Sequence, residues 1–182
     1  MANVQERQDI GGLMPDFVLP FLDGRSLSLQ SFLTGYKAAV VVFWSGICSH
    51  CRRYDDYLNR LPERYPGLGL LVVASRQNES AQMLCATVVE RGLRFLLLYD
   101  GARTVADAWL VQQTPRVFLL DPERRLLYRG AIDNFKYPDD PDYVGYLNAA
   151  IAAVLVNRTP PRVDMPSFGC PIKSVYYTLP KP

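Results

Sequence analysis

Two cysteines separated by two residues, Cys48 and Cys51, carry the clearest chemistry in this sequence. The continuous apolar run 38–44 precedes them and a helical pattern follows them, so Cys48 stands where a helix begins. Unpaired main-chain N–H groups and the helix dipole stabilise a thiolate at such a position. Because the thiolate is the nucleophile of disulfide exchange, this spacing predicts a redox-active dithiol.

His50, the only histidine of the chain, stands between the two cysteines. An imidazolium or a ring N–H at this position would stabilise the Cys48 thiolate and thereby make the pair more oxidising. The alternative is a plain surface histidine, and the sequence leaves both interpretations open.

Composition narrows the class of protein. The chain has 182 residues, of which 49% are hydrophobic, and a formal net charge of +2. This length suits one domain with a substantial core, and the small charge argues against nucleic acid as a partner. The polar N-terminus lacks the apolar segment of a signal peptide, and the run 38–44 is far shorter than the ~20 residues of a membrane span. We therefore expect a cytoplasmic protein without a membrane span, in which a C-x-x-C pair is catalytic or metal-binding.

Extended and helical patterns alternate along the chain and position the dithiol. The predicted strands cover 38–44, 69–74, 95–99, 116–120 and 125–129, and the predicted helices cover 48–64, 79–91, 104–109 and 141–156. A turn signal at Asp23-Gly24 predicts an N-terminal β-hairpin. This order predicts an α/β fold with a central mixed β-sheet flanked by helices. We divide the chain into a flexible arm (1–12), one domain (13–156) and an extended C-terminal tail that packs on the domain (157–182).

These elements and several short motifs resemble the thioredoxin superfamily. The motifs are Phe43-Trp44 ahead of the dithiol, Thr114-Pro115 ahead of a strand, and a turn at Asp121. The segments 14–19 and 23–25 are similar to those of the redoxin branch, which comprises the peroxiredoxin-like and cytochrome-maturation-type thioredoxins. The resemblance implies a thioredoxin-like fold.

The resemblance also implies roles for individual residues. Pro115 is expected to be cis and to lie against the dithiol, because a cis X-Pro bond leaves the preceding main chain free to pair with an extended substrate. Thr114 and Pro115 would hold that substrate segment. Cys48 is implied to be the attacking thiol and Cys51 the thiol that resolves the mixed disulfide, while Trp44 is expected in the core or in the wall of the site.

One position departs from the thioredoxin pattern. Thioredoxin carries a buried acid just before its Phe-Trp pair, and this chain has Val42 there. The usual proton acceptor for Cys51 is therefore missing. Asp55 and Asp56 follow Cys51 by one turn and could replace this acid, but we expect them to be surface carboxylates.

Two further cysteines have open roles. Cys170 lies in the segment 166–173, which with 128–133 resembles a bacterial redoxin group that has a terminal G-C-x-I-K motif. It is either a small residue that packs the tail or a third redox cysteine that exchanges with the dithiol. Cys85 is expected to pack in the core of its helix.

The leading hypothesis is a thiol–disulfide oxidoreductase that exchanges the Cys48–Cys51 pair with protein or small-molecule thiols and disulfides. Such an enzyme needs no cofactor and no bound metal. It needs a reducing partner such as a thioredoxin or glutathione system.

Two alternatives remain open. A thiol peroxidase with antioxidant activity would place Pro and Thr where this chain has Val41 and Ser45, and Arg116 would be its thiolate-stabilising cation. A non-enzymatic copper or zinc carrier would use Cys48, Cys51 and His50 as ligands. The sequence identifies no further ligand for such a metal.

Overall fold

A computed structural model describes residues 9–173 of the chain. Its helices are α1 (Leu29–Leu33), α2 (Ser49–Arg52), α3 (Asp55–Arg64), α4 (Ala81–Glu90), α5 (Thr104–Ala108) and α6 (Tyr146–Leu155). Its strands are β1 (Val18–Pro20), β2 (Ser26–Ser28), β3 (Ala38–Trp44), β4 (Leu68–Ala74), β5 (Leu96–Tyr99), β6 (Gln113–Thr114), β7 (Arg116–Leu120), β8 (Leu126–Gly130) and β9 (Cys170–Pro171). None of these helices has the length and apolar character needed to cross a membrane.

Five strands form the central mixed sheet, in the order β5-β4-β3-β7-β8. β3, β4 and β5 are parallel, whereas β7 and β8 are antiparallel to their neighbours. Every residue of β3 and β4 is buried, which explains their continuous apolar sequence. The predicted α/β fold with a central mixed sheet is confirmed. The predicted N-terminal hairpin is confirmed as well, because β1 pairs antiparallel with β2.

The two faces of the sheet bury two apolar cores, because successive side chains of a strand point to opposite faces. Val42 and Trp44 belong to the core that includes residues of α3, α4 and α6, and Val41 and Phe43 belong to the core that includes residues of α1 and α5. The dithiol lies in the first core, and Ile172 of the tail lies in the second. The described part of the tail is therefore packed into the domain.

The helix predicted over 48–64 is divided into α2 and α3. Between them, Tyr54 has non-helical backbone angles (φ −104°, ψ 6°). Its hydroxyl donates a hydrogen bond of 2.6 Å to Asp133, and the next residue, Asp55, accepts one of 3.1 Å from the Trp44 indole. These buried tertiary contacts override the helical preference of the segment.

Two other element boundaries differ from the prediction. α1 is absent from the sequence prediction, and it forms because the Ser28 hydroxyl accepts from the Ser31 N–H over 3.1 Å and caps the helix. α6 begins at Tyr146, later than predicted, because the preceding residues form a loop. In that loop the Asn134 N–H donates to the Val144 carbonyl, and the Val144 N–H donates to the Asn134 side chain, each over 3.1 Å.

The ends of the chain are described only in part. In the predicted arm, the Gly11 N–H donates to the Leu126 carbonyl over 2.7 Å, so the described end of the arm contacts β8. In the tail, β9 pairs with β6. Residues 1–8 and 174–182 lie outside the described residues. The division into arm, domain and tail stays a prediction.

Candidate active site

The dithiol lies beyond the carboxyl end of β3, the middle strand of the sheet. Cys48 is the N-cap residue of α2, with extended backbone angles, and Cys51 lies within the helix. Their exposed fractions are 1% and 0%, so both cysteines are covered. Trp44, the last residue of β3, is fully buried in the same core, in agreement with the predicted core position.

The peptide bond between Thr114 and Pro115 is cis. This confirms the expectation drawn from the thioredoxin resemblance. The Thr114 carbonyl oxygen lies 3.3 Å from the Sγ atom of Cys48. The segment between β6 and β7 therefore lies directly against the dithiol.

The two sulfur atoms of the dithiol have opposite acid–base properties. The pKa of Cys48 is lowered to about 4, mainly because the Cys51 thiol donates a hydrogen bond to its sulfur, with further contributions from the Cys170 and Thr114 side chains. Burial raises the pKa of Cys51 well above its usual value, and the adjacent Cys48 sulfur raises that pKa further. At neutral pH, Cys48 is therefore a thiolate and Cys51 a thiol, which suits an attacking and a resolving cysteine.

Cys170 joins the dithiol from the tail. β9 pairs antiparallel with β6, and the register places Cys170 opposite Thr114. The Cys170 Sγ lies 3.6 Å from the His50 Nδ1, and the Sγ atoms of Cys48 and Cys170 and a ring nitrogen of His50 all lie within 4.8 Å of one another. Burial raises the pKa of Cys170, and the neighbouring Cys48 sulfur adds to the rise. The structure thus brings together Cys48, Cys51, His50 and Cys170, four of the predicted site residues.

The tail is fixed closely against the segment that precedes Pro115. A Cβ atom added to Gly169 would lie 1.9 Å from the Thr114 carbonyl oxygen, so only glycine allows this approach. The Gln113 side chain donates to the Ser167 carbonyl, and the Ile172 N–H donates to the Gln112 carbonyl over 2.9 Å. Main-chain and side-chain contacts therefore hold the tail on both sides of Cys170.

Arg116 lies at the start of β7 and binds the tail. Its guanidinium donates to the Met165 carbonyl over 3.0 Å and to the Ser167 hydroxyl over 3.2 Å, and it lies 3.9 Å from the Asp164 carboxylate. These contacts give the side chain a structural role. The predicted role as the thiolate-stabilising cation of a peroxidase gains no support from them.

Two charged residues that no sequence pattern had indicated hold the loop leading to Cys48. The Glu79 carboxylate accepts a hydrogen bond of 3.2 Å from the Ile47 N–H, and Arg91 donates one of 2.7 Å to the Gly46 carbonyl. Burial raises the pKa of Glu79, against the effect of its hydrogen bonds. Both residues stand at the ends of a predicted helix, where charged residues are common, so their pattern gave no signal of this role.

Asp55 is a third buried charge near the dithiol, with an exposed fraction of 7%. It forms an ion pair with Arg91 and accepts a hydrogen bond from Trp44. Burial raises the pKa of Asp55, while the Arg91 guanidinium opposes that rise. The expectation of a surface carboxylate is wrong for Asp55 and right for Asp56, which is exposed.

Two other sequence expectations require correction. Cys85, predicted to pack in the core, is exposed on α4, because only Leu84 among the α4 residues is fully buried. The ligand set predicted for a metal carrier paired His50 with both cysteines of the dithiol. Among the described residues, the His/Cys/Asp/Glu group with atoms close enough for a metal contains Cys170 in place of Cys51.

This combination of fold and site defines a protein of the thioredoxin superfamily, in its redoxin branch. A match to a family model narrows this assignment from the superfamily to a single family. The chain belongs to the AhpC/TSA family, whose model matches residues 10–129.

Curated relatives include thiol-disulfide oxidoreductases named ResA. ResA of Bacillus anthracis is 27% identical over 123 residues, which cover 68% of this chain and 70% of the relative. ResA of Bacillus subtilis (strain 168) is 29% identical over 117 residues, which cover 64% of each chain.

Solved structures extend the similarity. The hypothetical protein SMc02350 from Sinorhizobium meliloti 1021 has a TM-score of 0.81 and 31% identity, covering 92% of this chain and 95% of that chain. An uncharacterized conserved protein from Geobacillus kaustophilus also has a TM-score of 0.81, with 27% identity and coverage of 93% and 94%. The family match ends at residue 129, so the similarity to these two structures reaches beyond it.

Proposed function

We propose that this protein is a thiol–disulfide oxidoreductase that acts through Cys48 and Cys51. The observation that carries the proposal is the pair itself: a thiolate and a thiol, buried side by side, with the Cys48 sulfur 3.3 Å from the main chain that precedes Pro115. The name of the ResA relatives, thiol-disulfide oxidoreductase, agrees with this chemistry.

The reaction has two exchange steps. The Cys48 thiolate attacks one sulfur of a substrate disulfide, forming a mixed disulfide while the other substrate sulfur leaves as a thiolate. Cys51 then loses its proton and attacks the Cys48 sulfur, and the second substrate sulfur leaves. The substrate gains two electrons and two protons, one from Cys51 and one from the solvent, and the protein is left with a Cys48–Cys51 disulfide. An external thiol donor returns the protein to the dithiol.

We propose protein or small-molecule disulfides as substrates and a thioredoxin or glutathione system as the reductant, in the cytoplasm. A stabilised Cys48 thiolate favours the reduced protein. The pair is therefore expected to be more oxidising than the about −270 mV of thioredoxin. A more oxidising pair favours these exchange steps in reverse, so that the Cys48–Cys51 disulfide oxidises partner thiols more readily than thioredoxin does.

A glutathione redox titration tests the proposal, with the state of each cysteine determined by alkylation and mass spectrometry. We expect a reversible Cys48–Cys51 disulfide with a potential above about −300 mV. The Cys48→Ser variant should lose it and the Cys85→Ser variant, altered at an exposed cysteine, should keep it. A pair that never closes reversibly would refute the proposal, and a peroxide-dependent sulfenate at Cys48 would favour the peroxidase alternative.

Binding of a soft metal ion is a second candidate function, favoured by one observation. The sulfur atoms of Cys48 and Cys170 and a ring nitrogen of His50 lie within 4.8 Å of one another. At zinc bond lengths of about 2.0–2.3 Å, such atoms lie roughly 3.5–4 Å apart, so a small closure would suffice. Stoichiometric copper or zinc in the purified protein, lost in the His50→Ala variant, would support this function.

A further inference from the structure

We propose that Cys170 is a third redox cysteine, the built-in exchange partner through which the buried Cys48–Cys51 pair communicates with external thiols. The proposal rests on the proposed oxidoreductase function and adds a path for the electrons.

The tail occupies the place of an extended substrate. Thr114 precedes the cis Pro115. Its strand, β6, lies outside the five-stranded central sheet, so its main chain does not pair with the central strands. An extended peptide can pair with such a main chain by β-augmentation. Here the pairing is made within the chain, because β9 lies antiparallel to β6 with Cys170 opposite Thr114. A cysteine of this chain therefore stands where the cysteine of a bound substrate would stand.

The distance between the sulfur atoms fits an exchange partner. The Cys48 and Cys170 Sγ atoms lie within 4.8 Å, and a disulfide joins sulfur atoms at about 2.05 Å. Formation of the bond therefore requires the two sulfur atoms to approach by less than about 3 Å, a movement to which rotation of the two side chains contributes. Cys170 also approaches the His50 ring to 3.6 Å, a polar contact that a cysteine serving only as apolar packing does not need.

The difference in exposure between Cys48 and Cys170 determines which of the two sulfur atoms an external thiol can reach. Cys48 has an exposed fraction of 1%, so an external sulfur cannot reach it while β9 is in place. Cys170 is partly exposed. The tail is held by Gly169 against Thr114 and by the fully buried Ile172. With the tail docked, Cys170 is thus the accessible sulfur that also reaches Cys48.

The steps balance as thiol–disulfide exchanges. The deprotonated Cys170 attacks the Cys48 sulfur of the Cys48–Cys51 disulfide, and Cys51 leaves and takes up a proton. An external thiolate then attacks the Cys170 sulfur of the Cys48–Cys170 disulfide, and Cys48 leaves. Cys48 is a good leaving group because its thiolate is stabilised. A second external thiolate frees Cys170, so two thiols become one disulfide and the protein regains its dithiol.

A trapping experiment tests the Cys48–Cys170 bond. The chain has four cysteines, so the double variant Cys51→Ser/Cys85→Ser keeps only Cys48 and Cys170. We expect oxidised glutathione to convert the double variant into a form with an intramolecular Cys48–Cys170 disulfide, found by mass spectrometry of non-reduced peptides. Persistent glutathione adducts on Cys48 or Cys170, without that bond, would overturn the proposal.

A rate measurement tests whether the path is used. In Cys170→Ser, the Cys48–Cys51 disulfide should still form, but its reduction by glutathione should slow on the order of tenfold, because the accessible relay sulfur is gone. Cys85→Ser should react at the wild-type rate. Slow hydrogen exchange at the Ile172 N–H would show that the tail of the Cys170→Ser variant is still docked. An unchanged or faster rate in Cys170→Ser would mean that the tail is only a cover, and would overturn the relay.

The two proposals fail in different ways. If the wild-type Cys48–Cys51 pair never closes reversibly, the oxidoreductase function fails and the relay fails with it. If that pair titrates normally while the double variant forms no Cys48–Cys170 bond, only the relay fails.

Discussion

At the scale of single residues, the reactivity of Cys48 depends on the groups that donate to its sulfur. Its pKa is about 4, with the Cys51 thiol as the largest cause, against about 8.5 for a free cysteine. The thiolate therefore persists from neutral pH down to the region of its own pKa and is protonated below it. We expect the rate of Cys48 alkylation by iodoacetamide to be nearly constant between about pH 6 and 8 and to fall only near pH 4.

The matched control for this pH profile is Cys51→Ala, which removes the main donor. The midpoint of the profile should move upward in that variant, because the lost hydrogen bond favoured the thiolate. A wild-type midpoint near that of a free cysteine would contradict the stabilised thiolate.

The buried ion pair between Asp55 and Arg91 is the second feature at this scale. Asp55 and Arg91 have side-chain exposures of 10% and 9%, so removal of one partner leaves a buried charge unpaired. Asp55→Ala should lower the free energy of unfolding by about 3–5 kcal/mol, measured by urea denaturation. The exposed neighbour provides the control, since Asp56→Ala should change stability by less than about 0.5 kcal/mol. Equal effects of the two substitutions would show that the pair contributes little.

At the scale of elements, the two-residue pairing of β9 with β6 depends on a glycine. A Cβ on residue 169 would meet the Thr114 carbonyl at 1.9 Å, and neither main chain can give way without parting the strands. Gly169→Ala should therefore detach β9 while the central sheet stays folded. The measurement is the alkylation rate of Cys170, which should rise strongly in Gly169→Ala.

Gly35→Ala is the control for the loss of a glycine, because its added Cβ would lie 3.8 Å from the nearest atom, in ordinary contact. Its Cys170 alkylation rate should match the wild type. If Gly169→Ala also leaves that rate unchanged, the tail does not depend on this close approach.

Local patterns predicted the elements whose residues all face one kind of environment. The apolar run 38–44 corresponds to β3 residue for residue, because a strand buried on both faces needs no alternation. The segment 116–120 likewise matches β7. The break at Tyr54 and the pairing of β9 could not be predicted in this way, since both arise from contacts between residues far apart in the chain.

The residues of the candidate site fall into the same two groups, those with a local sequence signal and those positioned by contacts distant in the chain. The C-x-x-C spacing and the Thr114-Pro115 dipeptide are local signals, and both identified residues that the structure brings together. Glu79 gave no local signal, because an acid near the start of a helix is ordinary on the surface. Its burial depends on the loop above it, which the sequence does not show.

At the scale of the whole molecule, the tail connects the two cores of the protein. Cys170 packs against the core that holds the dithiol, and Ile172 is buried in the core on the other face of the sheet. Replacement of a buried isoleucine by alanine costs about 2–5 kcal/mol. Because β9 pairs with β6 in a two-stranded sheet separate from the central one, this loss should fall on the docking of the tail and leave most of the domain folded.

Ile172→Ala should therefore open access to Cys48. A loss of 2 kcal/mol raises the population of the undocked form about 30-fold, and Cys48 alkylation should accelerate by a similar factor if it requires undocking. Phe168→Ala changes an exposed tail residue and should leave the rate within about twofold of the wild type. If Ile172→Ala alkylates no faster than Phe168→Ala, the tail does not control access to Cys48, and the substrate reaches the dithiol by another side of the site.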